Sequence, residues 1–376
     1  MIIAGIVLSI CLLGAWVYCI LGIVASLRHS HQRFVLRRPE LPLISVLKPL
    51  AGYERSLEAN LKSFFEQDYP SFELIFAVRA EDDPAVPVVE HLHDRYPDIR
   101  SRLLITGDAP YPNAKVFSLS HMTAAASYDW LVMSDSDVNV PRNFLRKLSL
   151  ELASPDYDLA TCPYRAVPGN NIWSLLEVLG LNTEFWSAAL VAKLVEGVRF
   201  TVGPTVVAHR KVFDKIPWES LSSYLAEDFV LGLRAADQGF RVDLSRVIVE
   251  HHLSDESFAE NVSHRLRWAR STRRSRPKGY VGQLFTHPIP IALLLLVVDD
   301  RLWVPLVVSL MLRAGMVYAT GYKLLHDKLS LIYAWLIPVQ DVLSFIFWIL
   351  GFTGNSIAWR GRKYRVNRDG TFDPIS

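Results

Sequence analysis

Residues 2–27, IIAGIVLSICLLGAWVYCILGIVASL, contain no charged side chain. About 20 apolar residues in a helix are enough to cross the hydrocarbon core of a bilayer. A cleavable leader has a basic start and a shorter apolar core of about 7–15 residues. No basic residue precedes this run, so the sequence predicts a retained transmembrane helix over residues 1–27. Arg28, Arg33, Arg37 and Arg38 follow at once. By the positive-inside rule, the next part of the chain is expected in the cytoplasm. The lipid bilayer is therefore the first partner the sequence implies.

Residues 40–280 read as a soluble α/β domain. Apolar runs at 43–50, 72–79, 102–106 and 130–134 predict strands, and helical spacing predicts helices at 57–67, 86–96 and 113–127. Their alternation is the pattern of a parallel sheet with both faces covered. Further strands are expected at 159–162, 200–207 and 242–249. A long apolar helix is expected at 174–193, and a second over 229–237. Residues 284–353 turn apolar again, with segments at 287–298, 302–322 and 331–352. The last two are long enough to span. The first is short and carries Pro288 and Pro290, which suits a re-entrant or interfacial piece. A basic tail, 354–376, closes the chain. With 376 residues, 51% of them hydrophobic, the chain has enough material for one large core plus membrane segments. A net charge of +2 singles out no partner class and no nucleic acid. Cys11, Cys19 and Cys162 form neither a disulfide framework nor a metal cluster and read as small buried hydrophobes.

The chemistry gathers at strand ends. The run 130–134 leads into Asp135-Ser136-Asp137. In open α/β sheets ligands bind just past the carboxyl ends of the strands. Two carboxylates there suit a hard divalent cation, which in turn holds a diphosphate. The plain alternative is a solvated Asx turn. Asp83 follows the second strand, Glu227-Asp228 heads the 229–237 helix, and His264-x-x-Arg267-Trp268 lies in a basic stretch.

This series resembles the D, DxD, D, (Q/R)xxRW order of membrane-bound family-2 glycosyltransferases with a GT-A fold, and within them the ceramide glucosyltransferases. SVLKPLAG (45–52), FFEQDYP (64–70), DDPA (82–85), LAEDF (225–229) and WRGRKYR (359–365) support the resemblance. One departure is His264 at the first position of the last motif. The segment HRLRWARSTRRSRPKGY, followed by Thr286-His287-Pro288, is similar to a bacterial branch that glycosylates hopanoids.

The resemblance implies a Rossmann-like mixed sheet of GT-A type with transmembrane helices at both ends, in a multi-pass protein of the bacterial inner membrane. It implies a UDP-glucose or UDP-N-acetylglucosamine donor and a ceramide or hopanoid acceptor. Asp83 would contact the uracil or ribose end. Lys115 would contact the uridine diphosphate, or else be a surface lysine. Asp135 and Asp137 would hold Mg²⁺ or Mn²⁺, with Asp135 also reaching the ribose. Asp228 would be the general base of a single inverting displacement, its pKa raised by Glu227, or the pair would simply cap the helix. Arg267 and Trp268 would stand at the mouth of the site, on phosphate and acceptor. His264 would contact diphosphate or pack. Arg270, Arg273, Arg274 and Arg276 read as phosphate or headgroup contacts on an amphipathic helix. Two rivals stay open: a processive polysaccharide synthase, which needs more spans than three or four, and a membrane scaffold, which would not need every acidic residue kept.

Overall fold

The computed structural model describes residues 2–32, 41–54, 56–152, 157–359 and 362–375. Arg33, Arg37, Arg38 and Arg360 lie outside the described residues. Helix α1 (Ile2–Ser30) exposes Ile6, Ile10, Leu13, Val17 and Ile20 on one face and buries Leu12, Ala15, Cys19 and Gly22 on the other. Such a helix is dressed for lipid on one side and for helix packing on the other.

The first half of the domain alternates as expected: β1 (Ile44–Pro49), α2 (Leu57–Phe65), β2 (Phe72–Val78), α3 (Val86–Arg95), β3 (Ser101–Ile105), α4 (Ala114–Ala125) and β4 (Trp130–Ser134). The strands run parallel in the order β3-β2-β1-β4. Their alternate residues feed two separate cores. Ile44, Val46, Leu74, Phe76 and Val132 point to one, and Leu47, Ile75, Ala77, Leu131 and Met133 to the other. This two-sided burial is why the strands read as unbroken apolar runs.

The chain continues through β5 (Val138–Asn139), α5 (Phe144–Leu152), β6 (Leu159–Thr161) and β7 (Tyr164–Val167). Next come α6 (Ile172–Gly180), one π turn (Leu181–Phe185) and α7 (Trp186–Glu196). They form a single 25-residue helix. The Trp186 N–H bonds the Leu181 carbonyl, five residues back, which makes this turn one residue wider than an α-turn. Then follow β8 (Thr205–His209), α8 (Lys211–Lys215), α9 (Glu227–Asp237), β9 (Val242–Leu244) and β10 (Val249–His252). The full sheet is β3-β2-β1-β4-β8-β6-β9, with β8 antiparallel to both neighbours. Strands β5, β10 and β7 make a second, small sheet.

Two expectations are corrected here. The strand expected at 200–207 begins only at Thr205, leaving residues 200–204 as a loop at the site. The strand expected at 242–249 is two strands in different sheets. Buried Glu151 pins the corner between them, accepting bonds from Ser245 Oγ (2.5 Å) and the Arg246 N–H (2.7 Å).

The remainder holds α10 (Phe258–Ser275), α11 (Pro277–Gly282), α12 (Pro288–Val298), α13 (Val304–Met316) with a π continuation to Leu324, α14 (Lys328–Ile332) and α15 (Ile337–Gly351). Among the described residues four helices are long and apolar enough to cross a membrane: Ile2–Ser30, Ile172–Glu196, Val304–Leu324 and Ala334–Gly351. The pair Pro277–Thr286 and Pro288–Val298, bent by 62°, makes up to five if it counts as one span. Ile172–Glu196 was read from sequence only as an apolar helix of the soluble domain. It is 61% buried, between the sheet and the other apolar helices.

The basic tail is also folded. Strands β11 (Ser356–Trp359), β12 (Arg362–Val366) and β13 (Phe372–Pro374) form an antiparallel sheet around Ile357, Tyr364, Val366 and Phe372. It docks on the domain where the Phe372 N–H bonds the Ser223 carbonyl (2.9 Å) and Thr371 bridges Tyr224. The alternation of charged with buried residues in 362–366 is the strand period, hidden by the number of charges.

Inside the apolar helices, Arg313 of α13 donates two bonds to Asp341 of α15, at 2.7 and 2.6 Å, with both side chains only 1% exposed. Asp341→Ala is expected to cost about 3–5 kcal/mol, because it strands a buried guanidinium. Replacing the pair together with Met and Leu should recover most of that loss. Thermal unfolding of the full chain in detergent reads both.

Candidate active site

Strand β4 ends at Ser134, and Asp135 and Asp137 stand on the turn beyond it. The Asp135 N–H bonds the Pro204 carbonyl (3.0 Å), and Asn60 Nδ2 holds the Ser136 carbonyl (3.2 Å), so the turn is fixed from both sides. Lys48, fully buried in β1, reaches under it. Its ammonium donates to the Asp135 carbonyl and lies over the Phe64 ring, 4.1 Å from the centroid. Burial pushes the Lys48 ammonium down to about 7, against the pull of Asp137 and Asp135. From β10, His251 Nε2 pairs with Asp137 Oδ2 at 3.1 Å. Burial opposes charge on both partners, but their attraction wins: the imidazole pKa is raised and the Asp137 pKa lowered.

Lys115 lies in the first turn of α4, with Nζ 2.7 Å from Asp135 Oδ1 and 3.3 Å from Glu227 Oε1. It is no surface lysine. Asn113 explains the geometry. Its Oδ1 accepts from the Lys115 and Val116 N–H groups, capping the helix, while Nδ2 donates to the Tyr224 carbonyl (2.9 Å) and Glu227 Oε2 (3.2 Å). The same residue thus starts α4 and ties it to the start of α9. Burial disfavours the charged ammonium, yet Asp135 and Glu227 raise its pKa. Both Glu227 oxygens are spent on Lys115 and Asn113, so capping is not its role.

Asp228 enters beside Glu227. Its carbonyl accepts from Thr201 Oγ1 (2.5 Å). A Cβ on Gly203 would sit 3.0 Å from Asp228 Oδ2 and 3.8 Å from Asp135 Oδ2. A side chain there would crowd the Asp228 carboxylate and touch that of Asp135. Burial, then the adjacent Glu227 charge, push the Asp228 carboxyl up to about 7, with Lys115 opposing.

Lys115, Asp135, Asp137, Gly203, Glu227, Asp228 and His251 wall one cavity of about 860 Å³, together with Arg267 and Trp268. His264 is on the wall too, but its Nδ1 lies 3.2 Å from Glu177 and 3.3 Å from Glu256, and its ring meets Trp268 edge-on at 5.4 Å. Asp83 is set apart. Its carboxylate accepts from the N–H groups of Gly52 (3.0 and 3.1 Å) and Ala85 (2.9 Å), joining the 45–52 loop to the 82–85 turn, while Arg79 lines the cavity.

The headgroup reading of Arg270, Arg273 and Arg276 is corrected. Arg270 donates to the carbonyls of Thr353 (3.1 Å) and Ser356 (2.6 Å), Arg273 to those of Phe352 and Gly354, and Arg276 to the Glu196 carboxylate. A helix C-terminus leaves carbonyls without partners, and here two guanidinium forks supply them at the junction of α15 and β11.

Lys48, Asn113, Glu177, Gly203, His251 and Glu256 were missed from sequence. A charge inside an apolar strand marked Lys48, and Glu250-His251-His252 at a strand end marked the histidine. The other four carry no local mark.

A divalent cation fits the residues present. Asp137 Oδ1 is buried without a hydrogen-bond partner on the cavity wall. Carboxylate oxygens with an imidazole beside them suit Mg²⁺ or Mn²⁺.

Residues 14–372 match the model of Glycosyl transferase family 21. The chain belongs to that family. Its relatives include ceramide glucosyltransferase 1 of Caenorhabditis elegans, 28% identical over 210 residues, covering 55% of this chain and 45% of the relative. Ceramide glucosyltransferase 3 of the same organism is 24% identical over 261 residues, covering 68% and 57%. The chain thus spans about half the length of these curated relatives. Among solved structures, a mannosyltransferase from Pyrobaculum calidifontis, in complex with GDP-Man and Mn²⁺, superposes with a TM-score of 0.52 at 16% identity, covering 92% of this chain and 98% of that one. That likeness establishes the GT-A-type fold of this family 21 chain.

The arginine contacts carry a prediction. Arg273→Ala removes two charge-assisted bonds and should lower stability by roughly 1–2 kcal/mol. It should also speed proteolysis after residue 353, read by limited digestion and gel analysis.

Proposed function

We propose that this chain transfers glucose or N-acetylglucosamine from a UDP-sugar to a hydroxyl of a membrane lipid, with inversion at the anomeric carbon. The observation that carries the proposal is the meeting of Asp228 and Asp135 across Gly203, in a cavity that also borders the apolar helices. Asp228 accepts the proton of the attacking hydroxyl. A carboxyl held near 7 is matched to that task at neutral pH. Lys115 bridges the metal-side carboxylate Asp135 and the base-side carboxylate Glu227, and so fixes the spacing of donor and base. Asp137 and Asp135, with His251 beside them, hold Mg²⁺ or Mn²⁺. Bound there, the ion supplies positive charge to the departing diphosphate. Arg267 adds a planar fork for phosphate oxygens, and Trp268 covers the acceptor. Asp83 serves the uracil or ribose end through the loop it pins. The named relatives favour a ceramide-like acceptor, and the 264–280 segment favours a hopanoid polyol. Residues 40–280 form the catalytic part, on the cytoplasmic side of a bacterial inner membrane.

Asp228→Asn should bind UDP-sugar nearly as wild type and transfer about 10²–10⁴-fold more slowly. Normal turnover by that variant would reject the assignment. The base works as a carboxylate, so kcat/KM for wild type should fall as pH drops through about 7. A flat profile between pH 6 and 8 counts against Asp228. Chelation should abolish transfer, and either Mg²⁺ or Mn²⁺ should restore it. Full activity in excess chelator would exclude a metal at Asp137.

A further inference from the structure

The cavity that holds Asp228 continues past it, between α7 and the α10–α11 pair. Ala188, Ala192 and Val195, spaced along one face of α7, form one wall. Ser271, Ser275 and Gly282 stand on the other. The two walls are bridged by Arg276 and Glu196, an ion pair between their ends.

Beyond them the lining includes Thr286 and Tyr18 of α1. Tyr18 lies about 18 Å along α1 from its end at Ser30. If α1 crosses a bilayer, the cavity reaches well below the membrane surface. Val195 on the α7 wall is 69% exposed, and Val281, next to the wall residue Gly282, is 58% exposed. Nearby, the Phe285 ring packs against Gly14 of α1. Apolar groups left this bare are unfavourable against water, at about 25 cal/mol per Å². They are at home against lipid. Lys115, beside Asp135, and Arg79 line the same cavity, and Arg267 of α10 lines it as well.

We propose that the passage between α7 and α10–α11 is the acceptor's route: the apolar body of a lipid alcohol enters from the bilayer and lies along it, with the reacting hydroxyl at Asp228. This rests on the lipid-transfer reading above.

The test uses the full chain in membrane vesicles that contain the host's own lipids, supplied with radiolabelled UDP-glucose or UDP-N-acetylglucosamine. Label in extracted lipid measures transfer, and label in free sugar measures donor hydrolysis. A Cβ on Gly282 meets no atom within 4 Å, and its φ of −62° accepts any side chain, so bulk there projects into open space. Gly282→Trp should lower the ratio of transfer to hydrolysis at least tenfold, and Gly282→Ala should lower it much less. Ala192→Trp on the facing wall should act like Gly282→Trp. A ratio that stays at the wild-type value in both tryptophan variants overturns the passage. A wild-type chain that releases free sugar and labels no lipid overturns the lipid-transfer reading itself, which is a distinct result.

Discussion

Four carboxylates, Asp135, Asp137, Glu227 and Asp228, share one cavity, and everything else at the site follows from keeping them there. Like charges at such spacing disfavour one another's ionisation. The fold answers with cations from three directions: Lys48 from below, Lys115 between the two acidic pairs, and His251 at the side. Burial and the neighbouring Glu227 charge raise the Asp228 pKa, with Lys115 opposing. The asymmetry divides the labour. The Asp137 pKa is lowered, while Asp228 is left able to take up a proton near neutral pH.

The first half of the domain was legible because β1, β2 and β4 are buried on both faces and α2 and α3 carry a clear apolar stripe. The expected strands at 43–50, 72–79, 102–106 and 130–134 each appear with small shifts at their ends. The second half was less so. Strand β8 runs against its neighbours, and the 242–249 run breaks at a corner set by Glu151, which is remote in sequence. At the site, the residues visible in sequence were those that stand next to one another along the chain. Asn113 and Gly203 act by reaching across or by staying out of the way, and neither property has a sequence period.

The arginine-rich stretch illustrates how a correct motif can carry an incorrect role. Arg270 and Arg273 hold the exit of α15 and the start of the C-terminal sheet. That sheet packs against Leu225 and bonds Ser223, just ahead of Glu227 and Asp228. The tail and the loop that leads into Glu227 are therefore neighbours, although about 140 residues separate them in the chain. Arg362, Lys363 and Arg365 belong to that sheet.

The π turn at residues 181–185 has a consequence for how such a chain can change. It places one extra residue between α6, which packs toward α15, and α7, whose face lines the cavity. Losing that residue would return the helix to a regular pitch and swing α7 by about 100° about its axis. A different set of side chains would then face the cavity. Single-residue insertions and deletions in this turn would thus change which face of α7 lines the cavity, while substitutions along Ala188–Val195 would change that lining one side chain at a time.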